Sequence, residues 1–163
     1  KKIISLKSKE IIKSIERSCK IKANIVSEDE YEKGMREILN FGHTFGHAIE
    51  SFTGFSKKIL HGEAVILGMY LALKFSKFLG LCSRNLIDDF TEHLEDLKIP
   101  YKLKDYNVKI SYTDFIKHIK FDKKIKNTNL KFILLKDFAK PIGYILRNEK
   151  ILKDFLKQNL TKE

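Results

Sequence analysis

The sequence contains few of the residues that interrupt helices or cross-link chains. Among 163 residues there are two prolines, eight glycines and two cysteines. So few helix breakers in a chain of this length favour long helices over many short strands. Cys19 and Cys82 lie far apart and show no CxxC spacing. This argues against a disulfide scaffold or a zinc knuckle, and it predicts two buried, reduced thiols in a cytoplasmic protein.

Long hydrophobic runs are missing as well. No apolar segment approaches the roughly 20 residues that a membrane span requires. Charged residues follow the basic N-terminus closely, which is unlike a signal peptide. Hydrophobic residues nevertheless make up 43% of the chain, a composition typical of globular proteins. We therefore expect a single domain over residues 1–163, with no membrane as a partner.

The formal net charge of +11 invites a comparison with nucleic-acid-binding proteins. However, the lysines are spread along the chain between acidic residues, and no arginine-rich arm, helix-turn-helix or RNP-like aromatic set occurs. We interpret most of the charge as a solvated surface, with a few lysines available to an anionic substrate. A basic helical nucleic-acid-binding module and a helical dimerisation domain remain as non-enzymatic alternatives.

The pattern of apolar and capping residues predicts a mainly α fold with at most one small β-hairpin. The predicted helices cover residues 3–19, 28 to about 40, 41–52, 61–79, 85–97, 111–120 and 149–160, and a non-helical stretch is expected at 21–26. The hairpin would pair residues 131–135 with residues 143–146.

The most informative feature is a pair of histidines in a glycine-rich segment. His43 and His47 lie four residues apart, so on a helix they project from one face. Two imidazoles placed in this way can bind one divalent metal ion, or one can bind while the other moves protons. Gly42 and Gly46 precede them and cost about 1 kcal/mol each against alanine in a helix. That cost indicates that something approaches the backbone closely there.

A third histidine, His61, lies where the chain enters the long apolar helix. Zinc, cobalt or another borderline divalent ion suits imidazole ligands. A catalytic zinc usually has three protein ligands, and the pattern does not select the third, for which His47, Glu50 and Glu63 are candidates. The two remaining histidines, His93 and His118, stand alone and are expected to have structural roles.

Taken together, these segments resemble the signature of the dehydroquinate synthase family. The resemblance extends over about residues 21–143. It is carried by the segment from Arg36 through Asn40 and the two glycine–histidine pairs to Glu50, and by the sequence Leu60-His61-Gly62-Glu63-Ala64-Val65. The upstream Lys22 and the later Asp122-Lys123-Lys124 also fit the family pattern.

The resemblance implies a fold, an activity and roles for residues. Members of the family convert 3-deoxy-D-arabino-heptulosonate 7-phosphate to 3-dehydroquinate and phosphate in the shikimate pathway, with NAD and a zinc or cobalt ion. The helical C-terminal domain carries the metal, and an N-terminal domain carries NAD. The implied metal ligands are His43 and His61. The implied substrate-binding residues are Lys22, Arg36, Asn40, His47 and Lys123, with Lys124 as an alternative to Lys123. The implied catalytic residues are His47, Glu32 and Lys22.

The chain also departs from the family pattern. It contains no glycine-rich dinucleotide loop, and no residue before Lys22 fits the family's third metal ligand, a glutamate near the domain junction. We therefore expect a C-terminal fragment that folds, binds metal weakly, partners a missing NAD-binding domain, forms a homodimer and does not catalyse alone. The rival enzymes are another sugar-phosphate cyclase, such as a 2-deoxy-scyllo-inosose or valiolone-type synthase, and a metal-dependent polyol dehydrogenase.

Overall fold

A computed structural model describes residues 5, 7–31, 34–126 and 130–160, without the side chains of 121–126. Within these residues the chain forms six α-helices, two 3-10 helices and one two-stranded antiparallel hairpin, which confirms the predicted fold class. The α-helices are α1 (Ser8–Glu28), α2 (His43–Phe52), α3 (His61–Phe78), α4 (Asn85–Asp96), α5 (Tyr112–Lys126) and α6 (Glu149–Leu160). The 3-10 helices are Met35–Asn40 and Leu103–Tyr106, and the strands are β1 (Lys131–Asp137) and β2 (Lys140–Ile145).

The chain divides into two compact units, Lys1–Leu39 and Asn40–Glu163. The first unit consists mainly of α1, none of whose residues is buried. Cys19 on this helix is exposed, so the prediction that its thiol is buried is wrong. The predicted non-helical stretch at 21–26 is wrong, because α1 continues to Glu28. The β-branched residues within 21–26 cost only tenths of a kcal/mol each in a helix, which is too little to end it. The predicted helix start at residue 3 lies outside the described residues.

The described residues after α1 do not form the α-helix that was predicted from residue 28 to about 40. The hydroxyl of Ser27, just before the predicted start, donates to the carbonyl of Asn24 within α1 and caps no new helix. One oxygen of Asp29 instead accepts the backbone N–H groups of Gly34 at 2.8 Å and Arg36 at 3.0 Å. These bonds turn the chain into the 3-10 helix Met35–Asn40. An aspartate that binds nearby backbone N–H groups favours such turns over a helix.

The second unit is organised around Phe45 of α2, which is 1% exposed. Its ring centroid lies 5.0 Å from that of Phe132 on β1 and 6.0 Å from those of Phe75 on α3 and Phe155 on α6. The ring of Phe115 on α5 lies 6.1 Å away. Tilted and edge-on pairs at these separations add to the stability gained by burial. This aromatic core joins α2, α3, α5, α6 and β1.

The hairpin is tied to α3 by a buried serine. Ser76 is 0% exposed, and its hydroxyl donates to the carbonyl of Ala72 and accepts the N–H of Leu135 at 3.2 Å. Within the hairpin, Leu134 pairs with Ile142. The two strands predicted from sequence are therefore confirmed, although both are longer or shifted by a few residues.

The boundaries of the remaining helices follow the predictions to different degrees. The helices predicted at 61–79, 85–97 and 149–160 match α3, α4 and α6 closely, whereas α5 extends to Lys126 rather than 120. The N-cap position of α4 is Arg84. The 3-10 helix Leu103–Tyr106 was not predicted. Among the described residues, no helix combines the length and the hydropathy required to cross a membrane.

Candidate metal and substrate site

Helices α2 and α3 approach each other unusually closely, and glycines make this possible. A Cβ atom added to Gly68 of α3 would lie 2.1 Å from the carbonyl oxygen of Gly42. One added to Gly42, where φ is +81°, would lie 2.7 Å from the backbone nitrogen of Met69. One added to Gly46 would lie 3.0 Å from the carbonyl oxygen of Ala64. The close approach expected at Gly42 and Gly46 is therefore that of α3.

This packing brings three histidines together. His43 begins α2, His47 lies one turn later, and His61 begins α3. The ring centroids of His43 and His47 are 5.5 Å apart, those of His43 and His61 are 5.8 Å apart, and those of His47 and His61 are 6.2 Å apart. Imidazoles that bind one cation through nitrogens at about 2.1 Å hold their centroids about 5–6 Å apart. The separations of His43 from His47 and from His61 both suit a shared cation.

Oxygen atoms hold one nitrogen of each predicted metal ligand. Nδ1 of His43 lies 3.2 Å from the carbonyl oxygen of Phe41, and Nδ1 of His61 lies 3.0 Å from Oε1 of Glu50. A carbonyl and an ionised carboxylate accept hydrogen bonds but cannot donate them. Each ring therefore carries its proton on Nδ1 when neutral, and its Nε2 retains the lone pair that a metal needs. The donor set fits a borderline divalent ion.

The candidates for a further ligand, His47, Glu50 and Glu63, occupy different positions. Two of them, His47 and Glu50, form a possible metal-binding set with His61, in which the ligand atoms all lie within 4.8 Å of one another. His43 is not part of that set. Glu50, however, already contacts His61 at hydrogen-bond distance. His43 and His61, the ligands that the family resemblance implies, each have Nδ1 at an oxygen acceptor, which leaves Nε2 for a cation.

Glu63 has a different role at the start of α3. Its Oε2 accepts the backbone N–H of Leu60 at 2.7 Å, which satisfies a donor that the helix itself leaves open. Glu63 therefore stabilises the segment that carries His61.

Near this segment, burial raises the pKa of Tyr106 to about 12, and the negative charges of Glu63 and Asp105 act in the same direction.

The other predicted site residues are distributed over both units. In the first unit, Lys22 is an exposed residue of α1, and the Arg36 guanidinium donates to the carbonyl of Glu30. In the second unit, Asn40 is exposed three residues before His43. Lys123, like its alternative Lys124, lies in the last part of α5, residues 121–126, where side chains are not described. The prediction for Glu32 falls outside the described residues.

The two histidines expected to be structural lie outside the cluster. His93 is exposed on α4. Nδ1 of His118 lies 2.7 Å from the hydroxyl of Ser51, and its ring packs edge-on against Phe52 at 5.7 Å. The Ser51 contact ties α5 to the end of α2. Sequence reasoning named Glu50 only as a possible ligand, although its position three residues after His47 places it on the histidine-bearing face of α2.

Comparison with known proteins identifies the family of this chain. The family described as "3-dehydroquinate synthase C-terminal" matches residues 1–125. A curated protein from Pelagibacter ubique named 3-dehydroquinate synthase is 40% identical over 162 residues, which cover 99% of this chain and 44% of that protein. One of the same name from Zymomonas mobilis is 43% identical over 128 residues, covering 78% and 34%. The chain thus spans less than half the length of the curated relatives it matches.

Solved structures have the same fold. A 2-deoxy-scyllo-inosose synthase complexed with carbaglucose-6-phosphate, NAD+ and Co2+ superposes with a TM-score of 0.68 at 30% identity, covering 85% of this chain and 38% of that one. A 2-epi-5-epi-valiolone synthase from Streptomyces hygroscopicus with NAD+ and Zn2+ bound gives a TM-score of 0.73 at 15% identity, covering 93% and 41%. The second likeness concerns the fold alone. Since the family match covers most of the sequence, the chain belongs to the 3-dehydroquinate synthase family and corresponds to its C-terminal domain.

Proposed function

We propose that this chain is the metal- and substrate-binding domain of a 3-dehydroquinate synthase. Such an enzyme converts 3-deoxy-D-arabino-heptulosonate 7-phosphate to 3-dehydroquinate and phosphate. The observation that carries the proposal is the approach of His43 and His61, from two different helices, to a ring separation of 5.8 Å. The 40% identity to a curated relative over nearly the whole chain supports the same assignment.

In this proposal His43 and His61 hold a zinc or cobalt ion through Nε2, with a third ligand contributed by a segment that precedes this chain in longer relatives. When bound, the ion polarises the substrate hydroxyl and favours loss of its proton. With two imidazoles as the main donors, the chain by itself binds the ion weakly. NAD is held by a separate N-terminal domain, consistent with the NAD+ bound in both structural neighbours.

The chain's own polar residues bind and orient the substrate. Arg36 and Lys22 supply positive charge for the carboxylate and the phosphate, and the guanidinium can bind a carboxylate through two parallel hydrogen bonds. Asn40 orients hydroxyl groups without adding charge. His47, whose ring is 5.5 Å from that of His43, moves a proton near the substrate phosphate. Lys123, with Lys124 as its alternative, is a further substrate-binding group, and Glu32 acts as an acid.

A second candidate is a cyclase that acts on a sugar phosphate without a carboxylate. The 30% identity to 2-deoxy-scyllo-inosose synthase supports it. The curated relatives at about 40% identity favour dehydroquinate synthase. Arg36 and Lys22 also suit a keto-acid substrate better, because they offer an additional anion-binding pair.

The test is a chimera in which this chain replaces the matching region of the Pelagibacter ubique relative. Phosphate release is measured with NAD+, Co2+ and either the keto-acid phosphate or a hexose 6-phosphate. We expect release from the keto-acid phosphate only, and no release from the 163-residue chain alone. His43→Ala and His61→Ala should each abolish it, whereas His93→Ala, on the exposed face of α4, should not.

Two results would contradict the proposal. A folded, NAD-binding chimera that releases no phosphate would refute the assignment of this chain to the reaction. Full activity after His43→Ala or His61→Ala would refute the role of the histidine cluster. Release from the hexose phosphate instead would establish the second candidate.

A further inference from the structure

We propose that Glu50 is a positioning residue that holds His61 by Nδ1 and thereby directs Nε2 toward the metal. The inference rests on the proposed role of His61 as a ligand. It assigns to Glu50 a function in the metal site that does not require direct contact with the ion.

Burial indicates which partner positions the other. The side chain of Glu50 is 13% exposed, whereas that of His61 is 60% exposed. Glu50 lies on α2, next to Ile49, which is 0% exposed in the core. His61 is the first residue of α3, and its ring, which is largely exposed, lies near the rings of His43 and His47 rather than in the core. The carboxylate is therefore the fixed partner, and the imidazole is the group that it orients.

The chemistry of the contact determines where the proton of a neutral ring lies. Oε1 of Glu50 is 3.0 Å from Nδ1 of His61. Because an ionised carboxylate only accepts hydrogen bonds, Nδ1 carries the proton and Nε2 keeps its lone pair. A free histidine in water favours the opposite tautomer, with the proton on Nε2. Glu50 therefore removes a tautomer in which the metal-binding nitrogen is blocked.

The same arrangement occurs at the second predicted ligand, by a different route. Nδ1 of His43 lies 3.2 Å from the carbonyl oxygen of Phe41, a backbone acceptor. The orientation of the His43 ring is thus set by the turn before α2. Among the described residues, no backbone acceptor plays this part for His61, and the orientation of its ring depends on the side chain of Glu50. A substitution can remove the side-chain acceptor of His61 but not the backbone acceptor of His43, so the effect of orientation can be tested at Glu50.

Direct ligation by Glu50 is the main competing role, since its carboxylate lies within 4.8 Å of ligand atoms of His47 and His61. Substitution by glutamine separates the two roles. An amide oxygen can still accept from Nδ1, so positioning survives, but a neutral amide is a poor ligand for zinc or cobalt. Alanine removes both functions.

The experiment uses the 163-residue chain and its Glu50→Gln, Glu50→Ala and His61→Ala variants. The tautomer of His61 is read without metal from long-range 1H–15N spectra at about pH 8, above the usual titration range of imidazole. Zn2+ affinity is then measured by calorimetry, and circular dichroism verifies folding. Glu92→Ala, an exposed glutamate of α4, is the matched control.

We expect the Nδ1–H tautomer at His61 in the unmodified chain and in Glu50→Gln, and a shift toward the Nε2–H tautomer in Glu50→Ala. Loss of a carboxylate that orients a ligand histidine commonly weakens metal binding about 10- to 100-fold. We expect that loss in Glu50→Ala, a change within about threefold in Glu50→Gln, and none in Glu92→Ala.

An unchanged tautomer in a folded Glu50→Ala variant would overturn the inference. Equal loss of Zn2+ binding in Glu50→Gln and Glu50→Ala, with the tautomer kept in Glu50→Gln, would overturn it in favour of direct ligation. If His61→Ala binds Zn2+ as well as the unmodified chain, the proposed metal role of His61 fails instead, whatever the tautomer data show.

Discussion

Helices α1 and α3 have similar lengths, 21 and 18 residues, yet they differ in how the chain uses their apolar residues. Helix α1 buries none of its residues, and Ile12 and Ile15 are 64% and 58% exposed. Helix α3 buries eight, including Leu67, Leu71 and Phe75. The comparison teaches that the histidine cluster lies on elements fixed by the chain's own core, whereas Lys22 lies on a helix without one.

The strongest way to break this comparison is to remove one apolar side chain from each region. Phe45→Ala deletes a 1%-exposed ring that contacts four other phenylalanines, and we expect a loss of about 3–5 kcal/mol of unfolding free energy. Ile15→Ala, on α1, should change it by less than about 0.5 kcal/mol. Urea unfolding followed by circular dichroism measures both. Equal losses would contradict the contrast between the two regions.

A smaller effect tests the close approach of α2 and α3. Gly68→Ala places a methyl group 2.1 Å from the carbonyl oxygen of Gly42, and such overpacking costs about 1–3 kcal/mol. Zn2+ binding should weaken with it, because the distance between the helices that carry His43 and His61 changes.

Gly62→Ala is the control within α3, since an added Cβ there meets nothing within 4 Å. Alanine at that position should be neutral or stabilise the helix by up to about 1 kcal/mol. If both glycine variants had the same stability, the close approach would not matter for the fold.

The smallest effect concerns stability at high pH. The pKa of Tyr106 is raised to about 12, chiefly by burial. Because the folded-state pKa exceeds that of the unfolded chain, the contribution of Tyr106 is complete below about pH 10 and is lost as the pH rises toward 12. When the melting temperature is measured against pH, Tyr106→Phe should fall less steeply than the unmodified chain between about pH 10 and 12. Tyr31→Phe, at a side chain that is 78% exposed, should not. Parallel profiles for all three proteins would contradict the prediction.

The sequence predicted the second unit better than the first, for a physical reason. Helices α3 and α6 carry apolar residues at helical spacing, and the core buries them, so pattern and structure agree. The described residues 21–31 and 34 have no such core. There the outcome depends on local hydrogen bonds, such as those that Asp29 accepts from Gly34 and Arg36, and the pattern of apolar and capping residues does not predict them.

The residues of the histidine cluster could be predicted from the sequence, but the contacts that hold them in place could not. The spacing of His43 and His47 and the family resemblance named the cluster. The sequence does not reveal that Gly42 and Gly68 let two backbones meet, because those positions are 26 residues apart. It also does not reveal that Glu50 faces Nδ1 of His61, which requires knowing how α2 crosses α3. The metal and substrate roles remain predictions.

The central claim is that His43 and His61 share one cation. The most direct measurement is a titration of the 15N-labelled chain with paramagnetic Co2+, followed through the imidazole signals of its histidines. The account predicts that the signals of His43 and His61 broaden together with one dissociation constant, while those of exposed His93 do not. Separate constants for His43 and His61, or equal broadening of His93, would contradict it.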